Sequence, residues 1–207
     1  MDRTEAGRRL ANTLAARGWA EPPVVLAISP GGATVGFEIA RALHAELDLF
    51  EVRPFAARGR EVGEVASGGV RVVHADVRDA LKLSDEEVDD AAAPVAEQIH
   101  RREHGWRRRH PRASLAGRAV VLVTDVIGPD ARADAAVMVA RATGARQVVF
   151  AAAVGLPATL AQLREDADDV VCLEEADDLR LAGDPPGDEA LRALLERAEE
   201  WRAPMTV

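Results

Sequence analysis

Apolar positions along this chain recur either every three to four residues or in short unbroken runs, and the two patterns alternate. Ala6, Leu10 and Leu14 share one face of a first helix that Thr4 can cap and Gly18 can stop. After the Pro22-Pro23 break, Val24-Val25-Leu26-Ala27-Ile28 is short enough for a strand and apolar enough to be covered on both faces. Ser29-Pro30-Gly31-Gly32 makes a turn, and the pattern then predicts a helix over 34–47 and a strand over 48–52. Residues 54–63 read as a mobile loop rich in Arg and Gly, and 65–75 as a hairpin interrupted by Gly68-Gly69. Ser84-Asp85-Glu86-Glu87 opens a long polar helix to about residue 110, which Pro94 is expected to kink or divide. Residues 119–123 form the most apolar strand candidate. A loop over 124–132, a helix over 133–142 and a strand over 147–154 follow, then a helix over 160–167, a strand over 170–173 and a closing amphipathic helix over 189–201.

Strand and helix in alternation, with short connections, predict an α/β fold with a mainly parallel sheet, as one domain over residues 1–207. Ligands bind such sheets outside the carboxyl ends of the strands. Three loops qualify as candidate sites: 29–33, 54–63 and 124–132.

Composition narrows the function classes. With 48% apolar and 29% charged residues the chain is globular, and it lacks the run of ~18 uncharged residues that a membrane span needs. Met1-Asp2-Arg3-Thr4-Glu5 carries acid at once, unlike a secretory signal, so the cytoplasm is the expected compartment. Cys172 is the one cysteine, which excludes an internal disulfide, and its apolar strand setting suits inert packing. A net charge of −9, with 3% aromatics and no tyrosine, argues against nucleic acid as a partner. Charge is uneven, however: residues 98–118 hold seven arginines against Glu103, while the C-terminal third is acidic. These segments are expected to pair within the chain or between subunits of a homodimer, and Arg101–Arg109 is an alternative surface for an acidic partner. His100-Arg101-Arg102-Glu103-His104 matches a zinc-peptidase pattern, but the surrounding arginines would repel a dication, so a solvated helix end is the expected reading.

Several stretches together carry a family resemblance: 4–10, Gly31-Gly32 before the helix at 37–43, Val52-Arg53, the run 66–72, and 117–123 before Asp125. In this order they resemble the type I phosphoribosyltransferases, more closely a bacterial group of predicted phosphoribosyltransferases of about this length. The resemblance spans roughly residues 3–173. It implies the type I fold, a mainly parallel sheet flanked by helices with a small hood. It also implies a site for phosphoribosyl pyrophosphate (PRPP), in which acids hold the ribose hydroxyls and a helix N-terminus holds the 5′-phosphate.

The same alignment exposes departures. The group's Asp-Asp-Gly-x-Ala-Thr-Gly-Ala-Thr falls on Thr124-Asp125-Val126-Ile127-Gly128-Pro129-Asp130-Ala131-Arg132, which keeps only the second acid. Pro129 removes a backbone donor and Asp130 sets a negative charge where phosphate belongs. The group's Pro-Arg-Gly-Gly is Ser29-Pro30-Gly31-Gly32, its Arg-Lys pair is Arg53-Pro54, and its aromatic segment after Cys172-Leu173 is acidic and without aromatics over 174–180. Losing several leaving-group cations at once removes anion stabilisation, where one donor alone is worth ~10²–10³ in rate. The expected function is therefore a non-catalytic or altered member that binds a small anionic or nucleotide-like ligand or a protein partner. An active enzyme passing phosphoribosyl from PRPP to an acceptor, or an interaction protein using Arg101–Arg109, are the alternatives. Candidate ligand-binding residues are Gly31, Gly32, Arg53, Asp125, Gly128, Asp130, Ala131 and Arg132, with no catalytic residue and no metal ligand assigned and Mg²⁺ expected only if PRPP binding is retained. Asp125 reads equally as a residual ribose ligand or as a strand-end cap.

Overall fold

A computed structural model describes residues 1–108, 110–129 and 132–201. An inner strand of its main sheet is β1 (Val24–Ala27), fully buried as its unbroken apolar run requires. β1 pairs in parallel with β2 (Glu46–Leu49) on one side and β6 (Ala119–Ile127) on the other, with Ala27 opposite Leu49 and Val123. β7 (Gln147–Gly155) and β8 (Asp169–Glu175) continue the sheet, giving the order β2-β1-β6-β7-β8, all parallel.

The period of two along these strands sorts the core into two faces. Val24, Leu26, Val120, Leu122, Val148 and Phe150 face α5 (Arg132–Ala142) and α6 (Pro157–Asp166). Val25, Ala27, Val121, Val123, Val149 and Ala151 face α1 (Arg3–Ala15), α2 (Pro30–Leu43) and α7 (Asp188–Ala198). The parallel sheet flanked by helices that the alternation predicts is therefore the architecture.

Several boundaries differ from the sequence expectation. The second helix spans 30–43, not 34–47. Ser29 caps it by accepting from the Gly32 N–H, Pro30 supplies its first residue, and His44 in the left-handed region (φ 49°) ends it. Leu47 continues the helical spacing of Leu43 but alternates with Leu49 as well, and its place in β2 follows from pairing with β1. The expected mobile loop at 54–63 is a hairpin of β3 (Val52–Ala57) and β4 (Arg60–Ala66), turned by Arg58 and Gly59, both at positive φ. β3 is an edge strand, where Pro54 is tolerated. β5 (Arg71–Val73) completes this three-stranded antiparallel sheet, with the Gly68-Gly69 turn before it. After α3 (Ala75–Leu81), α4 (Asp85–Arg107) continues through Pro94 without division. Its buried Val88, Ala92 and Ile99 cover Phe55, Val62 and Val65 of the hairpin.

Candidate ligand-binding site

The chain leaves β1 for β2 on one side and later enters β6 on the other, so the switch point of the sheet lies at the carboxyl ends of β1 and β6. β6 runs on to Ile127, so Thr124, Asp125 and Val126 are strand residues where a phosphate loop was expected to start. Gly128 and Pro129 follow, while Asp130 and Ala131, both candidate ligands, lie outside the described residues.

Ser29 ties the two strand ends together. Its hydroxyl donates to Asp125 Oδ1 at 2.8 Å, accepts from the Gly32 N–H at 2.8 Å and lies 3.0 Å from Thr124 Oγ1. The other Asp125 oxygen accepts from Arg3 Nε at 2.9 Å, and Arg3 also donates to the Gly183 carbonyl. Asp125 is 8% exposed, and both its oxygens face partners inside the chain. The two glycines permit this arrangement. A Cβ on Gly31 would stand 1.8 Å from Asp125 Oδ2, and one on Gly32 would stand 2.5 Å from the Val123 carbonyl oxygen. Only glycine lets the start of α2 approach β6 so closely.

Two adjoining cavities open at this end of the sheet, with Ile28 and Arg132 lining both. The smaller, about 260 Å³, is bounded by Ser29, Thr124, Asp125 and Gly128. The larger, about 460 Å³, reaches under the β3–β4 hairpin and brings Arg53, Arg102 and Arg132 together with Glu51, Glu61 and Glu64. Glu51 Oε1 accepts from Arg53 Nε at 2.6 Å and from Arg102 at 3.2 Å. Burial works against the Arg102 charge, but Glu51 and Asp188 outweigh it and hold the guanidinium above its ordinary pKa. The structure thus places Asp125 and Gly128 at one cavity and Arg53 at the next, with Arg132 between, while Gly31 and Gly32 are buried against β6 and line neither.

Sequence reasoning missed Arg3 as the partner of Asp125 and missed Glu51, Glu61 and Glu64 on the cavity wall. Arg3 opened the family resemblance, but a contact across 122 residues leaves no local pattern. The three glutamates lay next to or inside a segment taken for a mobile loop.

The arginine-rich segment divides. Arg107 is turned inward, donating to both oxygens of Asp48 at 2.7 and 2.9 Å and to Glu103 at 3.0 Å. Burial raises the Asp48 carboxyl pKa, with Arg107 opposing the rise. The second Glu103 oxygen accepts from Arg112, so Glu103 faces away from any metal shared with His100 and His104, which are exposed. Arg102 reaches Asp188 at 3.2 Å and His110 meets Glu199 at 2.6 Å, so part of the basic segment pairs with acids of the C-terminal third within one chain. Arg101 and Arg108 remain exposed, and Arg109 lies outside the described residues. Cys172 is half-buried, not fully buried, because β8 is an edge strand, and burial pushes its thiol pKa up.

Among solved structures, the chain is similar to the crystal structure of TT1426 from Thermus thermophilus, with 35% identity over 95% of this chain and 97% of that one and a TM-score of 0.82. Among curated proteins, it is 39% identical over 176 residues, 83% of its length, to "Putative phosphoribosyl transferase Rv0571c" of Mycobacterium tuberculosis. Over that stretch the chain is similar to a phosphoribosyl transferase. Its sheet order and flanking helices are a fold it shares with TT1426. The match covers 39% of the length of the mycobacterial phosphoribosyl transferase. No family model matches the chain. Among the described residues no helix is long and apolar enough to cross a membrane.

Proposed function

We propose that this phosphoribosyltransferase-fold protein holds a small phosphorylated anion, diphosphate or the phosphate of a nucleotide, without transferring a phosphoribosyl group. The observation that carries the reading is the state of Asp125. In the family arrangement two acids hold the ribose hydroxyls; here one position is Thr124, and the remaining acid is spent on Arg3 and Ser29. Held in this way, Asp125 is already neutralised and would have to give up these contacts to serve a ribose or a magnesium ion, so the reading contains no Mg²⁺-dependent step. Arg53, Arg102 and Arg132, brought to one cavity from β3, α4 and α5, supply the anion recognition. A volume of about 460 Å³ suits a nucleotide-sized guest.

Calorimetry and thermal melting with diphosphate, 5′-nucleotides and PRPP plus Mg²⁺ test this. A saturating anion at 100 times its dissociation constant adds ~2.7 kcal/mol, which for ~200 residues raises Tm by ~5–11 °C. The expected result is that diphosphate binds, that Arg53→Ser and Arg132→Ser weaken it, and that PRPP binds no more tightly than diphosphate. PRPP binding at least tenfold tighter, or diphosphate released from PRPP in the presence of nucleobases, would establish an active transferase instead.

A further inference from the structure

The β3–β4 pairing slips by one residue between Phe55 and Ala56: Phe55 lies opposite Gly63 but Ala56 lies opposite Glu61, leaving Val62 without a partner on β3. Residues three apart on β4 then share a face, which a regular strand forbids. Val62 and Val65 go to the apolar side under α4. Glu61 and Glu64 go to the opposite side, where His74 joins them: β5 pairs Val73 with Gly63, and the His74 N–H donates to the Val62 carbonyl. One ligand atom from each of Glu61, Glu64 and His74 lies within 4.8 Å of the others.

Glu64 is the unusual member. It is 2% exposed, its Oε1 has no hydrogen bond, and its Oε2 meets His74 Nε2 at 3.1 Å. A buried carboxylate with so few partners is unfavourable, and a bound cation would complete it. Here it lines the larger cavity together with Glu61, so a small ion has a path to it from solvent. His74 occupies the cap position of α3 without using its side chain as a cap, which leaves the imidazole available to the cluster.

We propose that Glu61, Glu64 and His74 form a binding site for one divalent first-row transition-metal ion. Two carboxylates and an imidazole are the donor set of zinc and manganese sites, and the nitrogen disfavours Mg²⁺ and Ca²⁺, which take oxygen ligands. Three protein ligands leave a coordination position facing the cavity, as in zinc sites that keep a water. Bonds of ~2.0–2.2 Å bring such ligand atoms closer than they stand here, and the exposed Glu61 side chain is the one with room to close the set.

The test uses the full-length protein stripped with EDTA and titrated with Zn²⁺ alone by calorimetry, with Mn²⁺ followed in parallel by electron paramagnetic resonance. No phosphate compound is present, so the outcome is separate from that of the anion reading above. One equivalent is expected to bind and to raise the melting temperature. Glu64→Gln and His74→Gln should each weaken binding at least ~10-fold, while the metal-free Glu64→Gln protein melts no lower than the parent because a buried charge is gone. His104→Ala, which disrupts the exposed His100 and His104 pair, should leave binding unchanged. Absence of saturable binding, binding unaffected by Glu64→Gln and His74→Gln, or binding lost in His104→Ala would each overturn the proposal.

Discussion

Arg3 Nε stands 2.9 Å from Asp125 Oδ2, so the first turn of the chain neutralises the acid at the end of its central strand. Both side chains are only 12% exposed, where solvent screens the pair weakly. Arg3→Ala leaves a buried carboxylate with the Ser29 and Thr124 hydroxyls as its partners and no counter-charge. The expected loss is ~3 kcal/mol, the low end for breaking a buried pair, read as a lower urea midpoint with an unchanged m-value. An effect below ~0.5 kcal/mol would reduce the pair to an ordinary surface contact.

Gly31→Ala should be destabilising for a different reason, since the new methyl group would collide with the Asp125 carboxylate. Overpacking of this kind costs ~1–3 kcal/mol. In an Asp125→Ala background the obstacle is removed, so the same substitution should cost much less. A double-mutant cycle with no coupling would show that α2 meets β6 differently.

Arg107 serves Asp48, Glu103 and the Leu49 carbonyl from the last turn of α4. Arg107→Ala leaves buried Asp48 with backbone N–H donors alone and Glu103 with Arg112 alone, and should lower stability by ~3 kcal/mol. Arg101→Ala, at an exposed site, should change it by less than ~0.5 kcal/mol. Comparable losses in the two variants would contradict the division of the arginine segment into inward and outward residues.

Stability should also depend on pH through Glu64. Burial raises its carboxyl pKa, with the charges of Glu61 and Asp134 adding to the effect and His74 opposing it. A raised carboxyl binds its proton more tightly folded than unfolded, so its contribution is full below the ordinary value of 4.5 and is lost as pH rises through the higher folded value. In EDTA, the Tm advantage of Glu64→Gln over the parent should therefore grow from pH 4.5 to pH 8. A constant difference across that range would mean that Glu64 titrates normally.

The expected homodimer should not be held by the charge asymmetry of the chain. Arg102 with Asp188, and His110 with Glu199, already satisfy part of the basic and acidic segments within one subunit. Light scattering should give the same mass at low salt and at ~1 M NaCl, where the Debye length is ~3 Å. Dissociation in high salt would restore pairing between subunits as the contact.

The buried parallel strands were legible in the sequence because a strand covered on both faces must be an unbroken apolar run, as at residues 24–28 and 119–123. Glycine at 31 and 32 also marked the close approach of α2 to β6, since a position with no room for a Cβ is written locally. What the sequence by itself could not determine was the hairpin at 52–66, whose Pro54, Arg58 and Gly59 suit a turn as well as an edge strand. Pairing with β5 and cover from α4 decided it. Whether Asp125 serves a ligand or the fold was open for the same kind of reason: its neighbours Ser29, Gly31 and Arg3 are 94 to 122 residues away, and only the packing of α1 and α2 onto β6 brings them within bonding distance. Apolar periodicity encodes which residues leave water. Tertiary structure decides which distant buried charges meet, because pairs such as Arg3 with Asp125 and Arg107 with Asp48 join segments whose separation along the chain carries no periodic signal.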